Sequence, residues 1–313
     1  MIAFDKYLSR VDGMKADSTL RSETTTLRRY RKYIENHDHT PETATNYDID
    51  DYLIHLSSEE FSPATISTDF AILRQYYRFL DNRDYIEENP FDDVEKSDYQ
   101  TIMTGHNKTD NSHGDVIYVT EEEAEKIFKG APAPSLRNEL LLRILWETGI
   151  RRGEASDVLL SDIDRSENSI LIDSRKVDSD RRVYYQPATD IILEQWLHQG
   201  YRNSFNTSES PYLLVTRESE SIPGNTINGI VKRAAREAGV QKIMYEGRDG
   251  KERSKITAHT MRHGHAVHAL KSGIDVRSVQ KHMGHRNIET TLTYLQIVDK
   301  DIRDAYQQFN QVD

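Results

Sequence analysis

The sequence predicts a mainly α protein of two domains, the second carrying a small antiparallel β-sheet. Three observations lead there. Apolar residues recur at 3 to 4 residue spacing through the N-terminal part, a polar Gly/Asn/Thr/His-rich break follows, and short apolar runs of strand length are confined to the middle of the chain. At 313 residues the chain is long enough for two domains with separate cores.

From Leu20 to Asn36, Leu27, Tyr30 and Ile34 form an apolar stripe with Arg28, Arg29, Arg31 and Lys32 between them, predicting an amphipathic helix with a basic side. A second helix begins after Thr45, with Asn46 as its expected cap and Tyr47, Ile49, Tyr52, Leu53 and Leu56 as its apolar face. Ser62-Pro63 starts a third, through Ile66, Phe70, Leu73, Tyr77 and Leu80, flanked by Arg74 and Arg78. Asn89-Pro90 ends the periodicity. Residues 18–97 therefore read as a helical domain preceded by an extension, 1–17, and followed by a linker, 98–115, around Thr104-Gly105-His106-Asn107.

The second domain, expected over 116–297, opens with Val116 to Val119. Thr120 and Glu123 then make a capping box for a helix through Ala124, Ile127 and Phe128. Leu136 to Thr148 is an apolar helix ended by Gly149. Ile163, Ser169–Asp173 and Val183–Tyr185 read as strands. Helices are expected over Asn225–Gly239, Thr257–Gly273, Ser278–Met283 and Glu289–Gln296, with a hairpin near Tyr245–Lys255. A tail helix, 298–313, carries Ile302, Tyr306 and Phe309 at helical spacing. No internal repeat is evident.

Composition narrows the function. Zero Cys removes disulfides, thiolate metal sites and Cys nucleophiles together. No apolar run approaches membrane-spanning length, which predicts a protein of the cytoplasm with no membrane partner. A net charge of -11 argues against nucleic acid when taken alone. Its distribution argues otherwise: between 251 and 286, Lys251, Arg253, Lys255, Arg262, Lys271, Arg277, Lys281 and Arg286 face only Glu252 and Asp275. Acid is spread through the first half, and Arg outnumbers Lys. An acidic, Lys-poor surface suits a high-salt cytoplasm; the competing reading is an ordinary acidic mesophilic protein.

The chemistry-bearing residues cluster late. His259-Thr260-Met261-Arg262-His263 is followed by Met283-Gly284-His285 and, nine residues on, by Tyr294. His259 and His263 at i, i+4 could begin a zinc site, but Thr260 stands where a metalloprotease needs Glu and no third ligand is evident, so no metal is expected. Arg262 instead shares a helix face with His259, placing guanidinium and imidazole over one anion. Upstream, Thr148-Gly149-Ile150-Arg151-Arg152-Gly153-Glu154 puts a second Arg at a helix end, with a carboxylate three residues on to hold it. Two Arg, His donors and a Tyr are what a phosphodiester transition state and a covalent nucleophile require.

In order and spacing these motifs closely resemble the tyrosine recombinase family of phage-type integrases and Xer-like recombinases, over residues 18 to 300. The resemblance implies an N-terminal SAM-like core-binding domain, a catalytic domain of the DNA breaking-rejoining fold, and site-specific recombination of double-stranded DNA without cofactor or metal. It implies that Arg151 and Arg262 clamp the scissile phosphate, His259 assists proton transfer and His285 donates to a nonbridging oxygen. Tyr294 attacks to form a 3' phosphotyrosyl bond. Lys176, the only Lys in the Ser174–Val183 turn, would protonate the departing 5' oxygen, although the usual surrounding glycines are missing; Glu154 supports the cations. Arg28, Arg29, Arg31, Arg74, Arg78, Lys255 and His263 are the expected DNA contacts, and a homotetramer on DNA, monomer or dimer when free, the expected assembly. Two other classes stay open, a strand-breaking relaxing or resolving enzyme and a DNA-binding relative without catalysis.

Overall fold

The computed structural model describes residues 2–15, 17–92, 94–104, 116–173, 180–205, 209–246, 252–285 and 287–309. Contacts divide the chain into Met1–Asn111 and Ser112–Asp313. In the first unit, α1 (Ile2–Met14), α2 (Asp17–Glu35), α3 (Asn46–Ser58) and α4 (Pro63–Asp81) pack around one apolar core, joined by the short α5 (Gln100–Thr104). The residues expected as an N-terminal extension include α1, whose Ala3, Phe4, Tyr7 and Val11 lie in that core. Their helical spacing explains why this segment folds with the rest. The proposed linker likewise begins in helix, with Tyr99 and Met103 buried in the same core; its remainder, 105–115, lies outside the described residues.

Local chemistry fixes the helix starts. Ser62 accepts from the Thr65 amide at 3.2 Å, and Pro63 supplies the first turn of α4. The cap of α3 is Thr45 rather than Asn46: Asp48 accepts from the Thr45 backbone N–H at 2.7 Å, so the carboxylate closes the first turn.

The second unit contains α6 (Glu121–Lys129), α7 (Ser135–Thr148), α8 (Arg152–Asp157), β1 (Ile163–Asp164), β2 (Ser169–Ile172), β3 (Arg181–Tyr184), α9 (Pro187–His198), α10 (Gly224–Glu237), β4 (Ile243–Glu246), β5 (Glu252–Ser254), α11 (Ala258–Lys271), α12 (Val276–Met283) and α13 (Glu289–Phe309). The capping box of α6 forms as expected, with Glu123 N to Thr120 Oγ1 at 3.2 Å and Thr120 N to Glu123 Oε2 at 3.0 Å. β1, β2 and β3 make an antiparallel meander in that order, Ile170 opposite Val183, while β4 and β5 form the separate hairpin. α9 was not foreseen from the sequence, though Pro187 at its first turn and buried Leu193 and Trp196 are ordinary helix signals. One helix, α13, runs through position 298, so the tyrosine segment and the tail are a single element.

α11 is the centre of this unit, packed on α7, α12 and α13. Ala266, Val267, Leu270, Val279, Met283 and Tyr294 form a cluster where α11, α12 and α13 meet. The largest cluster of the unit joins α6, α7, α10 and the sheet.

Candidate active site

Two helices, α7 and α12, end at this site. The last turn of any α-helix leaves carbonyls without intrahelical donors and carries the negative end of the helix dipole. Cations and imidazoles fill both roles here. Arg262, 4% exposed on α11, donates from Nη1 to Gly149 O at 2.5 Å and from Nη2 to Met283 O at 2.6 Å, tying the two helix ends together. Arg151 Nη2 donates to Gly284 O at 2.8 Å, and Arg181 Nε to His282 O at 2.8 Å. The consecutive carbonyls of His282, Met283 and the capping Gly284 at the end of α12 are thus each held by a different arginine. On α7, Trp146 O and Thr148 O bond His265 Nδ1 at 2.9 Å and His282 Nε2 at 3.0 Å.

Glycine makes both helix ends possible. Gly149 has φ +61° and Gly284 φ +65°, the left-handed region that disfavours a side chain. A Cβ on Gly149 would lie 2.5 Å from the His265 ring, and one on Gly284 3.1 Å from the Arg181 guanidinium.

Glu154 links two of the cations. Its Oε1 accepts from Arg151 Nη1 at 3.0 Å and its Oε2 from Arg181 Nη2 at 2.8 Å, while Oε2 also accepts from the Arg151 backbone N–H at 2.6 Å. Burial raises its pKa, but the Arg181 hydrogen bond and the Arg151 amide outweigh burial and leave it below the usual carboxylate range. The support expected of Glu154 is thus geometric. Sequence reasoning did not single out Arg181; a signal existed in its place at the start of β3 next to an apolar strand, where a buried Arg needs an anionic partner.

Tyr294 is 2% exposed and lies beside two imidazoles, those of His263 and His285, and within the field of the Arg262 guanidinium. Its hydroxyl is 2.5 Å from His263 Nδ1, and the His263 ring stacks edge-on against His259 with centroids 4.0 Å apart. His285 lies beside Tyr294 with ring centroids 6.3 Å apart, its Nδ1 engaged with Thr291 Oγ1 at 2.9 Å. Burial raises the Tyr294 pKa and Arg262 partly offsets it. Burial, and then the neighbouring arginines, depress His285 to about 4; burial, then His259 and Arg262, depress His263 to about 4. His259 is also lowered, by burial and then by Arg262 and Arg151. Imidazoles placed beside two guanidinium groups stay neutral near pH 7 and are ready to donate or accept one proton.

The structure thus brings together Arg151, Glu154, His259, Arg262, His285 and Tyr294. Lys176 lies outside the described residues, as does the rest of 174–179. The expected DNA contacts divide. Arg28, Arg74 and Arg78 are exposed. Arg29 instead pairs with the buried Asp69 at 2.5 Å, over a carboxylate that also receives Tyr52 and Thr26, so it is a strut of the first core. Arg31 pairs with Glu35 at 2.6 Å. Lys255 is held by Glu123 at 2.7 Å, and His263 faces the tyrosine hydroxyl. Each of these four has an intramolecular partner because the fold brings an anion or a phenol to it from a distant or adjacent turn.

Residues 118–300 match the phage integrase family, and residues 3–87 match the N-terminal SAM-like domain of phage integrases. The chain belongs to the phage integrase family, the tyrosine recombinases. It is 26% identical to tyrosine recombinase XerC of Halalkalibacterium halodurans over 97% of this chain and 95% of that one. The similarity to tyrosine recombinase XerA of Pyrococcus furiosus, at 27% identity, spans 61% of each chain. In fold it resembles a XerH site-specific recombinase bound to palindromic difH substrate, with TM-score 0.72 and 17% identity over 98% of this chain and 84% of that one. It also resembles the Tn1549 transposon integrase in complex with transposon right end DNA, with TM-score 0.67 and 16% identity over 93% of each.

Proposed function

We propose that this protein is a site-specific DNA recombinase that cuts and rejoins double-stranded DNA through a 3' phosphotyrosyl bond at Tyr294. The observation that carries the reading is the convergence of Arg151 and Arg262 beside a buried tyrosine whose hydroxyl is in hydrogen-bond contact with an imidazole. Two guanidinium groups suit the oxygens of one phosphodiester, whose negative charge grows as the nucleophile adds. The linkage formed keeps the energy of the bond it replaces, so a second strand can reclaim it without a nucleotide cofactor.

In this reading Arg151 and Arg262 hold the nonbridging oxygens. His285, through Nε2, the nitrogen not engaged with Thr291, donates to one of them, and His259 takes part in proton transfer. Lys176 is the proposed acid for the departing 5' oxygen. A XerH recombinase bound to palindromic difH substrate and a lambda integrase dimer bound to a COC' core site, both of similar fold, support double-stranded DNA as the partner. A homotetramer on paired sites and a cytoplasmic location complete the proposal. The exposed Arg28, Arg74 and Arg78 are the cations of the first unit best placed to meet phosphates.

The test is covalent capture of a duplex selected from a random-sequence library on the wild-type protein. Tyr294→Phe removes one oxygen, should bind the same duplex, and should trap none of it. A covalent adduct with the Phe variant would contradict the assignment of the nucleophile.

A further inference from the structure

We infer that His263, which the reading above leaves outside the chemical step, is the base that removes the Tyr294 proton during strand cleavage and returns it during rejoining. The inference rests on that reading and deepens it. Among the imidazoles gathered here, His263 is the one in hydrogen-bond contact with the phenol, Nδ1 to Oη at 2.5 Å. A base acts at hydrogen-bond distance from the proton it takes, so this geometry singles it out.

The surroundings fit the role. His263 sits on the middle of α11, whose position is fixed by packing on α7, α12 and α13. Tyr294 arrives from α13 inside the apolar cluster of those helices, so water is not available at the hydroxyl to take the proton. The titratable groups facing His263 are His259 and Arg262 on its own helix, His285 from the turn after α12, and Tyr294 itself. All but the phenol are cationic when protonated, so they keep the resting imidazole neutral, with a lone pair open to the phenol.

Tyr294 Oη gives its proton to His263 Nδ1 as the Oη–P bond forms. The P–O5' bond breaks, and the 5' oxygen takes a proton from a separate acid, Lys176 in the reading above. The proton taken from the phenol now leaves a positive charge on the imidazolium, which is destabilised by burial and Arg262 and so is disposed to return its proton. In rejoining, a 5' hydroxyl attacks phosphorus and gives its proton to the amine of Lys176 left neutral by cleavage, the P–Oη bond breaks, and the departing phenolate takes the proton back from Nδ1.

The experiment compares wild type with His263→Gln, whose amide can keep a hydrogen bond to the phenol but is too weak a base to take its proton, and with His263→Ala. Single-turnover cleavage of the captured duplex is followed from about pH 6 to 9, with folding checked by thermal unfolding and duplex binding. General-base assistance is worth roughly 10²–10⁴-fold, so a loss of about that size is expected near pH 7, shrinking about tenfold per pH unit as the phenolate fraction of Tyr294 rises. A 5'-bridging phosphorothiolate, whose thiolate leaves without a proton, should restore Lys176→Ala and leave the His263 variants slow. Equal or faster cleavage by the His263 variants, or their rescue by the phosphorothiolate, would overturn the inference while leaving the recombinase reading intact. Should neither variant fold, the wild-type profile decides: a level rate across this range supports the inference, and a tenfold rise per pH unit refutes it. No capture by wild type would instead defeat the recombinase reading itself.

Discussion

At the scale of single residues, the site depends on side chains that bond backbone as much as on those that would meet substrate. Arg262 is the clearest case: its guanidinium spans the ends of α7 and α12, and burial lowers its pKa to about 10 without making it neutral near pH 7. Gly149 serves the same junction, because φ +61° and a Cβ position 2.5 Å from the His265 ring leave no space for a methyl group. Gly149→Ala is expected to destabilise the second unit by about 1–3 kcal/mol and to slow cleavage by displacing Arg151, two residues on. Paired thermal melts and cleavage rates check this; an unchanged melting temperature would show that the turn accommodates a side chain. The sequence displayed these residue types and their order. It could not display that Glu154 joins Arg151 to Arg181, because Arg181 arrives from a strand 27 positions away.

At the scale of elements, α11 explains why so many histidines sit together. His259, His263 and the more deeply placed His265 lie along one helix, and His285 and His282 come from the end of α12 against it. His263, His265 and His285 have folded pKa values of about 4, 3 and 4, all below the ordinary 6.5. Protons therefore favour the unfolded chain below the ordinary value. The stability that these neutral rings represent is complete above about pH 6.5 and falls as pH drops toward about 4. Thermal melts of the second unit should accordingly move down across that window and level off above it. A melting temperature independent of pH there would mean that the rings are not buried as described.

The elements also show where sequence patterns were sufficient. Capping of α6 by Thr120 and Glu123, the start of α4 at Ser62-Pro63 and the end of α7 at Gly149 were legible because they are local hydrogen-bond and dihedral requirements. α1 and α9 were not recognised, since short amphipathic helices gain their stability from the core they join rather than from their own sequence. The continuity of α13 through position 298 was hidden for a related reason: the boundary drawn after the tyrosine motif marked a change of role, not a break in helical residues.

At the scale of the whole molecule, a net charge of -11 has to coexist with a polyanionic partner. Several expected contacts proved to be internal ion pairs: Arg29 with Asp69, Arg31 with Glu35 and Lys255 with Glu123. If these internally paired residues do not meet phosphates, the salt dependence of binding should be shallower than a count of basic residues suggests. With a slope of about -0.9 per phosphate neutralised, losing three or four contacts changes log affinity markedly less across a decade of salt. Together with the Lys-poor acidic surface, this predicts that site-specific capture survives in molar KCl. Cleavage that peaks in low salt and disappears in molar KCl would argue for an ordinary mesophilic setting.

The sequence by itself determined the helical class, the two-part division and the identity of the chemistry-bearing residue types, because helix periodicity, turn residues and motif order are all written along the chain. Tertiary structure decided which of these groups act together. Only folding could bring the ends of α7 and α12 to one guanidinium, pair Arg29 with Asp69 and Lys255 with Glu123, and set His263 against the Tyr294 hydroxyl. The physical reason is that burial and hydrogen bonding are properties of neighbours in space, and here those neighbours lie from 21 to 134 positions apart along the chain.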